Sequence, residues 1–219
     1  MAEPGGGPRG ERPPTFVYVD GFNLYYRALR RTAHRWLDIA ALVDHVLGPR
    51  HNVARVRYFT ARVLATAQDP TGPQRQQVYL DALAQDPRIS IHEGQFRPRQ
   101  KTGPIVRPQQ WIGQLATIST FEEKGSDVSL ASWALADAYE GRTHTVVLLT
   151  NDSDLAEPVR ILRNRGTPVG VIVPAPGLKP NTVPADFVKI LRPGDLARSH
   201  LPDPVRAPSG REIHKPPRW

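Results

Sequence analysis

Short apolar runs alternating with helical patterns constrain this chain more than any other feature. Phe16, Val17, Tyr18 and Val19 form one run, ended sharply by Asp20 and Gly21; residues 145–149 and 168–173 form two more of continuous apolar character. A strand that is apolar at successive positions is buried on both faces, the condition inside a parallel sheet layered with helices. Residues 53–63, at their start, and 89–96 alternate apolar with polar instead, which is also strand periodicity. Helical patterns fall between, over 24–31, 36–47, 74–84, 127–139 and 154–164, with stops at Gly48-Pro49, Asp86-Pro87, Gly141 and Gly166. The expected fold is α/β, with a central, mostly parallel sheet and helices on both faces.

Length and punctuation suggest one domain. Residues 1–14 are Gly/Pro-rich and charged and read as a disordered leader; 15–193 read as the domain, and 194–219 as a Pro/Arg-rich tail without regular structure. The tail still carries Leu196, Leu201, Val205, Ile213 and Trp219, apolar anchors that a disordered segment would not need. No run approaches the roughly 18 apolar residues of a membrane span, so a soluble, cytoplasmic protein with no membrane partner is expected. There is no cysteine, which excludes disulfides and thiolate metal sites and leaves oxygen or imidazole ligands. The seven histidines are scattered and none has an i, i+4 partner. Twenty-nine Lys and Arg against 21 Asp and Glu give a formal net charge of +8, which favours polyanionic partners.

Acidic residues fall where such a topology would gather them. In right-handed βαβ units, strand ends and helix starts share one edge of the sheet, where open α/β sheets bind their ligands. Asp20 ends the first strand, Asp152 and Asp154 follow the strand ending at Leu149, and Asp127 opens the helix leading into that strand. Each has a plainer explanation taken alone. Asp154 with Glu157 resembles a capping box, Asp152 is a possible N-cap, Asp127 suits a first helical turn, and Asp20-Gly21 suits a turn. Capping does not predict convergence on one rim, however, and a carboxylate cluster repels itself unless a cation neutralises it. Mg²⁺ fits such a site, and Mn²⁺ also accepts oxygen ligands.

Three segments carry a resemblance. Asp20-Gly21-Phe22-Asn23-Leu24, Glu123-Lys124-Gly125-Ser126-Asp127 and Asn151-Asp152-Ser153-Asp154 occur in the order and contexts of the NYN domain, a PIN-like nuclease family, and the likeness spans about residues 16–191. The resemblance implies a PIN-like, Rossmann-related fold and Mg²⁺- or Mn²⁺-dependent hydrolysis of RNA phosphodiesters. It makes Asp20, Asp127, Asp152 and Asp154 the acidic, metal-holding set, with Asn23 beside the first aspartate and Ser153 and Thr150 orienting carboxylates from behind. Asp20 and Asp152 are expected to be the nearest ligands, Asp127 and Asp154 supporting ligands or positioners of water, and Glu123 a reserve acid.

For the nucleic acid, single-stranded or structured RNA, the expected contacts are Lys124 and the basic stretch of Arg97, Arg99, Lys101 and Arg107 in a connector after the third strand. Lysine after two glutamates is also common as a solvated pair, and a basic loop is also a solubilising device. Trp111 could stack on an unpaired base, although interior packing is the commoner use of tryptophan. Other phosphoryl-transfer classes fit less well. A haloacid-dehalogenase-like phosphatase needs an aspartate where Phe22 stands, a Toprim-like domain a glutamate where Asp20 stands, and a P-loop NTPase a glycine-rich loop that is missing. The alternative from another class is a catalytically weak PIN-like module that binds nucleic acid or protein.

Overall fold

The computed structural model describes residues 12–104, 115–177, 184–217 and 219; most of the expected leader, together with Arg107 and Trp111, lies outside them. The strands are β1 (Pro14–Asp20), β2 (Asn52–Ala61), β3 (Ile89–Pro104), β4 (Leu115–Lys124), β5 (Thr145–Leu149), β6 (Val169–Val173), β7 (Phe187–Ile190), β8 (Val205–Arg206) and β9 (Glu212–Ile213). The helices are α1 (Gly21–Leu24), α2 (Ile39–Leu47), α3 (Gly72–Leu83), α4 (Ser126–Tyr139), α5 (Ala156–Asn164) and α6 (Pro193–Ala197). Among the described residues no helix is long and apolar enough to cross a membrane.

Seven strands form one sheet in the order β4-β3-β2-β1-β5-β6-β7, parallel throughout except for β3 against β4. From β1 the chain builds outward through β2 and β3 on one side and β5, β6 and β7 on the other. The strand order therefore reverses between β1 and β5, which opens a crevice beyond their carboxyl ends. Burial on both faces accounts for the unbroken apolar character of β1. Val17 and Val19 pack into a cluster with α2 and α3, while Phe16 and Tyr18 pack into a second one with α4 and α5.

Helix α4 buries Leu130, Ala134, Asp137 and Ala138 along one stripe, so a carboxylate stands among the apolar positions facing the sheet. Asp137 is fully buried and receives the Tyr18 hydroxyl (2.8 Å), a bidentate Arg57 guanidinium (2.6 and 2.8 Å) and Arg142 Nε (2.6 Å). Burial alone would raise its pKa. The hydrogen bonds from Arg57, Tyr18 and Arg142 outweigh burial and hold the carboxyl below its usual range.

Three expectations change. The helix expected over 24–31 is a short α1 continued by a π turn over Tyr25–Leu29, closed by Arg30 N–H donating to the Tyr25 carbonyl at 2.8 Å. From Arg97 to Lys101 the basic stretch is strand and not a connector. Strand β3 runs on to Pro104 and pairs residue for residue with β4 from Gln95↔Lys124 to Pro104↔Leu115, beyond the last contact with β2 at Gly94. Ten residues at about 3.3 Å each make a two-stranded arm roughly 30 Å long that leaves the rim of the sheet. Pro98 is compatible with this strand because a two-stranded arm has outer edges where a missing N–H costs no ladder bond.

The tail is also structured. It forms α6 and the β8–β9 pair, and buries Leu196, Val205 and Ile213 in the cluster shared with α2 and α3, with Leu201 and Trp219 packed against it. Hydrogen bonds tie it to the start of α2: between backbones, Asp38 N–H donates to Ser199 O (2.8 Å) and Leu201 N–H to Trp36 O (3.1 Å), and the Trp36 indole Nε1–H donates to Pro202 O (3.0 Å). Proline density concealed elements too short to show periodicity.

Candidate active site

Three carboxylates from distant parts of the chain meet in the crevice between β1 and β5. Asp20, Asp127 and Asp152 each place an oxygen within 4.8 Å of the others. The three arrive by different devices. Asp20 is the last residue of β1 and caps α1, its Oδ1 accepting from Asn23 N–H at 2.9 Å. Asp152 follows β5 and caps the turn at Ser153–Leu155, accepting from Asp154 N–H at 2.9 Å. Asp127 reaches the rim because antiparallel β4 carries the chain back to it, where Gly125 at φ 100° turns the strand into α4. A left-handed backbone at that corner suits glycine, which has no Cβ to clash. Capping and ligand geometry thus coexist, for a carboxylate has more lone pairs than one cap uses.

Neighbours fix this geometry. Thr150 Oγ1 donates to Asp20 Oδ2 (3.1 Å) and accepts Asp152 N–H (3.1 Å), tying two of the three acids to one hydroxyl. Asn23 Oδ1 accepts Asn151 N–H at 3.1 Å, so the loop after β5 is fastened to α1. Glu123 accepts from the backbone N–H (3.1 Å) and hydroxyl (2.7 Å) of Ser126 at the head of α4. Gly94, near Glu123 at the root of the arm, leaves room for that carboxylate; a Cβ there would collide with its Oε1.

The electrostatics are those of crowded acids. Burial raises the pKa of Asp20, and the charges of Asp152 and Glu123 add to the rise while bonds from Asn23 and Thr150 oppose it. Burial also raises Asp127 to about 6, helped by Asp20, Asp152, Glu123 and Asp154. Three hard oxygen donors at this spacing, without a thiolate, fit a hard divalent cation.

An open cleft of about 460 Å³ surrounds the cluster, lined also by Asn23, Glu123, Ser126, Arg27 and the rings of Phe22, Tyr26 and Phe96. Asp154 is exposed and its carboxylate lies outside the three-carboxylate group, adding negative charge beside Asp127 while its backbone N–H caps Asp152. Arg27 was not anticipated, although it stands four residues after Asn23 in a helical pattern, a spacing that shares a face.

The basic residues are placed differently from the acids. Successive strand residues point to opposite faces, and Phe96 and Glu123, paired in the arm, face the cleft. Arg97, Arg99, Lys101 and Lys124 therefore lie on the arm's other face. There Glu122 bridges three of them, at 2.5 Å to Arg99, 2.6 Å to Lys101 and 3.2 Å to Lys124.

An α/β domain whose carboxylates converge beyond the strand ends where the strand order reverses is a class in itself. The chain belongs to the NYN domain family, a PIN-like nuclease family, whose family model matches residues 14–190. It is 30% identical to 6-hydroxy-3-succinoylpyridine 3-monooxygenase from Pseudomonas putida, over 94% of this chain and 75% of the relative. Its fold is similar to that of a protein of unknown function from Vibrio parahaemolyticus, with a TM-score of 0.50 at 20% identity, over 86% of this chain and 96% of the other.

Proposed function

We propose that this chain is a divalent-metal-dependent ribonuclease that hydrolyses RNA phosphodiester bonds at the Asp20–Asp127–Asp152 cluster. The observation that carries this is the convergence of three carboxylate oxygens within 4.8 Å in an open cleft at the strand-order reversal. Asp20 and Asp152, tied together through Thr150, serve as the principal ligands of Mg²⁺ or Mn²⁺, and Asp127 completes the set. A hard divalent cation supplies two things there, a more acidic bound water and compensation for charge on the phosphate. Asn23 positions the loop carrying Asp152, Glu123 and Asp154 add negative potential at the border, and Arg27 contacts a phosphate of the strand lying in the cleft.

Cation binding should be visible without substrate. Mg²⁺ held by the native state alone, at about 100 times its dissociation constant, stabilises by about 2.7 kcal/mol, which a thermal melt resolves. Asp152→Asn should melt no lower than wild type without metal, because a repelling charge is gone, and should respond less to Mg²⁺. An unchanged metal response in that variant would place the cation elsewhere.

The sign of the pH dependence follows from Asp127. Its folded pKa of about 6 lies above the ordinary carboxylate value, so the native state holds this proton more tightly than the unfolded chain. Its contribution to metal-free stability therefore falls as pH rises toward 6 and through it. Metal affinity moves oppositely, weakening below about pH 6 as the ligand oxygen is protonated. Melts across this range with and without Mg²⁺ should diverge as pH rises; parallel curves would contradict the assignment.

On the arm, Arg97, Arg99, Lys101 and Lys124 are assigned to RNA backbone beyond the scissile nucleotide; Arg107, outside the described residues, is assigned the same role. Phosphate contacts set affinity and its salt dependence while carrying little sequence information. Replacing Arg97, Arg99 and Lys101 together should flatten the slope of log affinity against log salt by about 1.4 to 2.1 if two or three contacts are lost. An unchanged slope would leave the arm's charges a solubilising role.

A further inference from the structure

Beside the acidic cleft, lined in part by Gly21 and Phe22 at the start of α1, lies a second cavity of about 380 Å³, within the size range of small-molecule sites. Its character is the reverse of the cleft's. Six aromatic rings line it, those of Phe22, Tyr25, Tyr26, Tyr58, Tyr79 and Trp219, and Phe22 and Tyr26 form the wall shared with the cleft. Its charged residues are Arg30, Arg35, Arg75 and Asp69. Arg75 is bound to Asp69 at 2.6 and 2.8 Å, which cancels that pair. Among the described residues neither Arg30 nor Arg35 has an acidic partner, so the cavity keeps an excess of positive charge.

Two of its donors also lack acceptors. Among the described residues, Arg35 Nε and Trp219 Nε1 are buried without a hydrogen-bond partner, and such atoms cost free energy unless something accepts from them. The Tyr58 hydroxyl also lines the cavity, and burial, with the charge of Asp20 adding, holds its proton on. Aromatic walls favour a planar ring, which stacks or meets them edge to face. Two uncompensated guanidiniums and unpaired N–H groups favour an anionic oxygen group on that ring.

We propose that this cavity is a binding site for a planar aromatic ring bearing an anionic oxygen substituent, carboxylate or phosphate. The ring belongs either to a nucleotide next to the cleft or to a small free aromatic acid. The site uses none of the three carboxylates, so it stands apart from metal-dependent cleavage.

Calorimetric titration of the full chain in EDTA separates the two sources. The probes are uridine 5′-monophosphate and adenosine 5′-monophosphate on one side and pyridine-3-carboxylate on the other, each beside its uncharged counterpart, uridine, adenosine or pyridine-3-carboxamide. At least one anionic probe should bind saturably, its uncharged counterpart at least about tenfold more weakly, the scale of one lost charge-assisted hydrogen bond. Arg35→Gln should cost a similar factor. Leu64→Trp, at a partly exposed position of the lining, should block the cavity without disturbing the core. Asp152→Asn should leave binding intact. Preference for the nucleotides assigns the ring to RNA, and preference for the carboxylate assigns it to a small aromatic acid. No saturable binding of any probe at millimolar concentration, or binding that survives both cavity variants while both melt like wild type, overturns the proposal. Loss with Asp152→Asn would overturn it too, by placing the ligand in the acidic cleft.

Discussion

Asp20→Asn should abolish metal-dependent RNA cleavage by at least about two to three orders of magnitude, the scale on which one lost stabiliser of developing charge registers. It should do so without unfolding the protein. Asparagine keeps the volume, and its Oδ1 can still accept from Asn23 N–H, the cap on α1. Its amide can donate to Thr150 Oγ1, replacing the bond that Thr150 now donates to Asp20 Oδ2. The variant loses the anionic oxygen and its share of the mutual repulsion that, with burial, raises the Asp127 pKa to about 6. Metal-free Asp20→Asn should therefore melt at or above the wild-type temperature while showing no cleavage with Mg²⁺ or Mn²⁺. Wild-type turnover by scrupulously purified Asp20→Asn would remove the cluster from the mechanism, and a collapsed melting temperature would make Asp20 a structural residue.

Asp137→Ala should be the most damaging substitution for the fold. Removing one member of a buried, fully hydrogen-bonded ionic group costs about 3–5 kcal/mol, because the remaining charges stay buried without their partner. Here it would strand Arg57, which is 11% exposed and lies 4.0 Å from the centre of the Trp133 ring, and leave the buried Tyr18 hydroxyl without an acceptor. Set against a total stability of roughly 5–15 kcal/mol, such a loss takes the protein close to its unfolding threshold. Urea titration should show it as a lower midpoint with an unchanged slope. Asp137→Ala combined with Arg57→Met should recover part of the loss, since the orphaned guanidinium goes with its partner. A double mutant no more stable than Asp137→Ala would mean that Arg57 finds solvent easily and that the ion group contributes little. The effect on cleavage would be indirect, because Asp137 holds the same helix whose first turn presents Asp127.

The sheet and the acids at its rim were legible because local sequence records burial directly. A strand covered on both sides has no polar alternation, so 145–149 matches β5 in both bounds, and β1 ends on the Asp20 that the sequence marks. Topology then brings Asp20, Asp127 and Asp152 to one rim. Local sequence does not separate Asp154 from Asp152, since one loop offers two aspartates and only the turn at Ser153–Leu155 decides which faces the cleft.

Other features depended on pairings that no local pattern records. The basic stretch acquires its strand conformation from β4, twenty or so positions away in sequence, and that pairing also puts Phe96 and Glu123 toward the cleft and the cations on the other face. The tail's α6 and β8–β9 are too short to show a period and form because Leu196, Val205 and Ile213 find a core to enter. Asp137 reads as an ordinary polar residue of an alanine-rich helix until Arg57, from a different strand, lies against it. The sequence determined by itself what burial within one element can specify: the order of strands and helices and the acids at their ends. The tertiary structure alone decided which distant side chains meet, because a hydrogen bond or ion pair across the fold is energetically real while leaving no periodic trace in either partner's own segment.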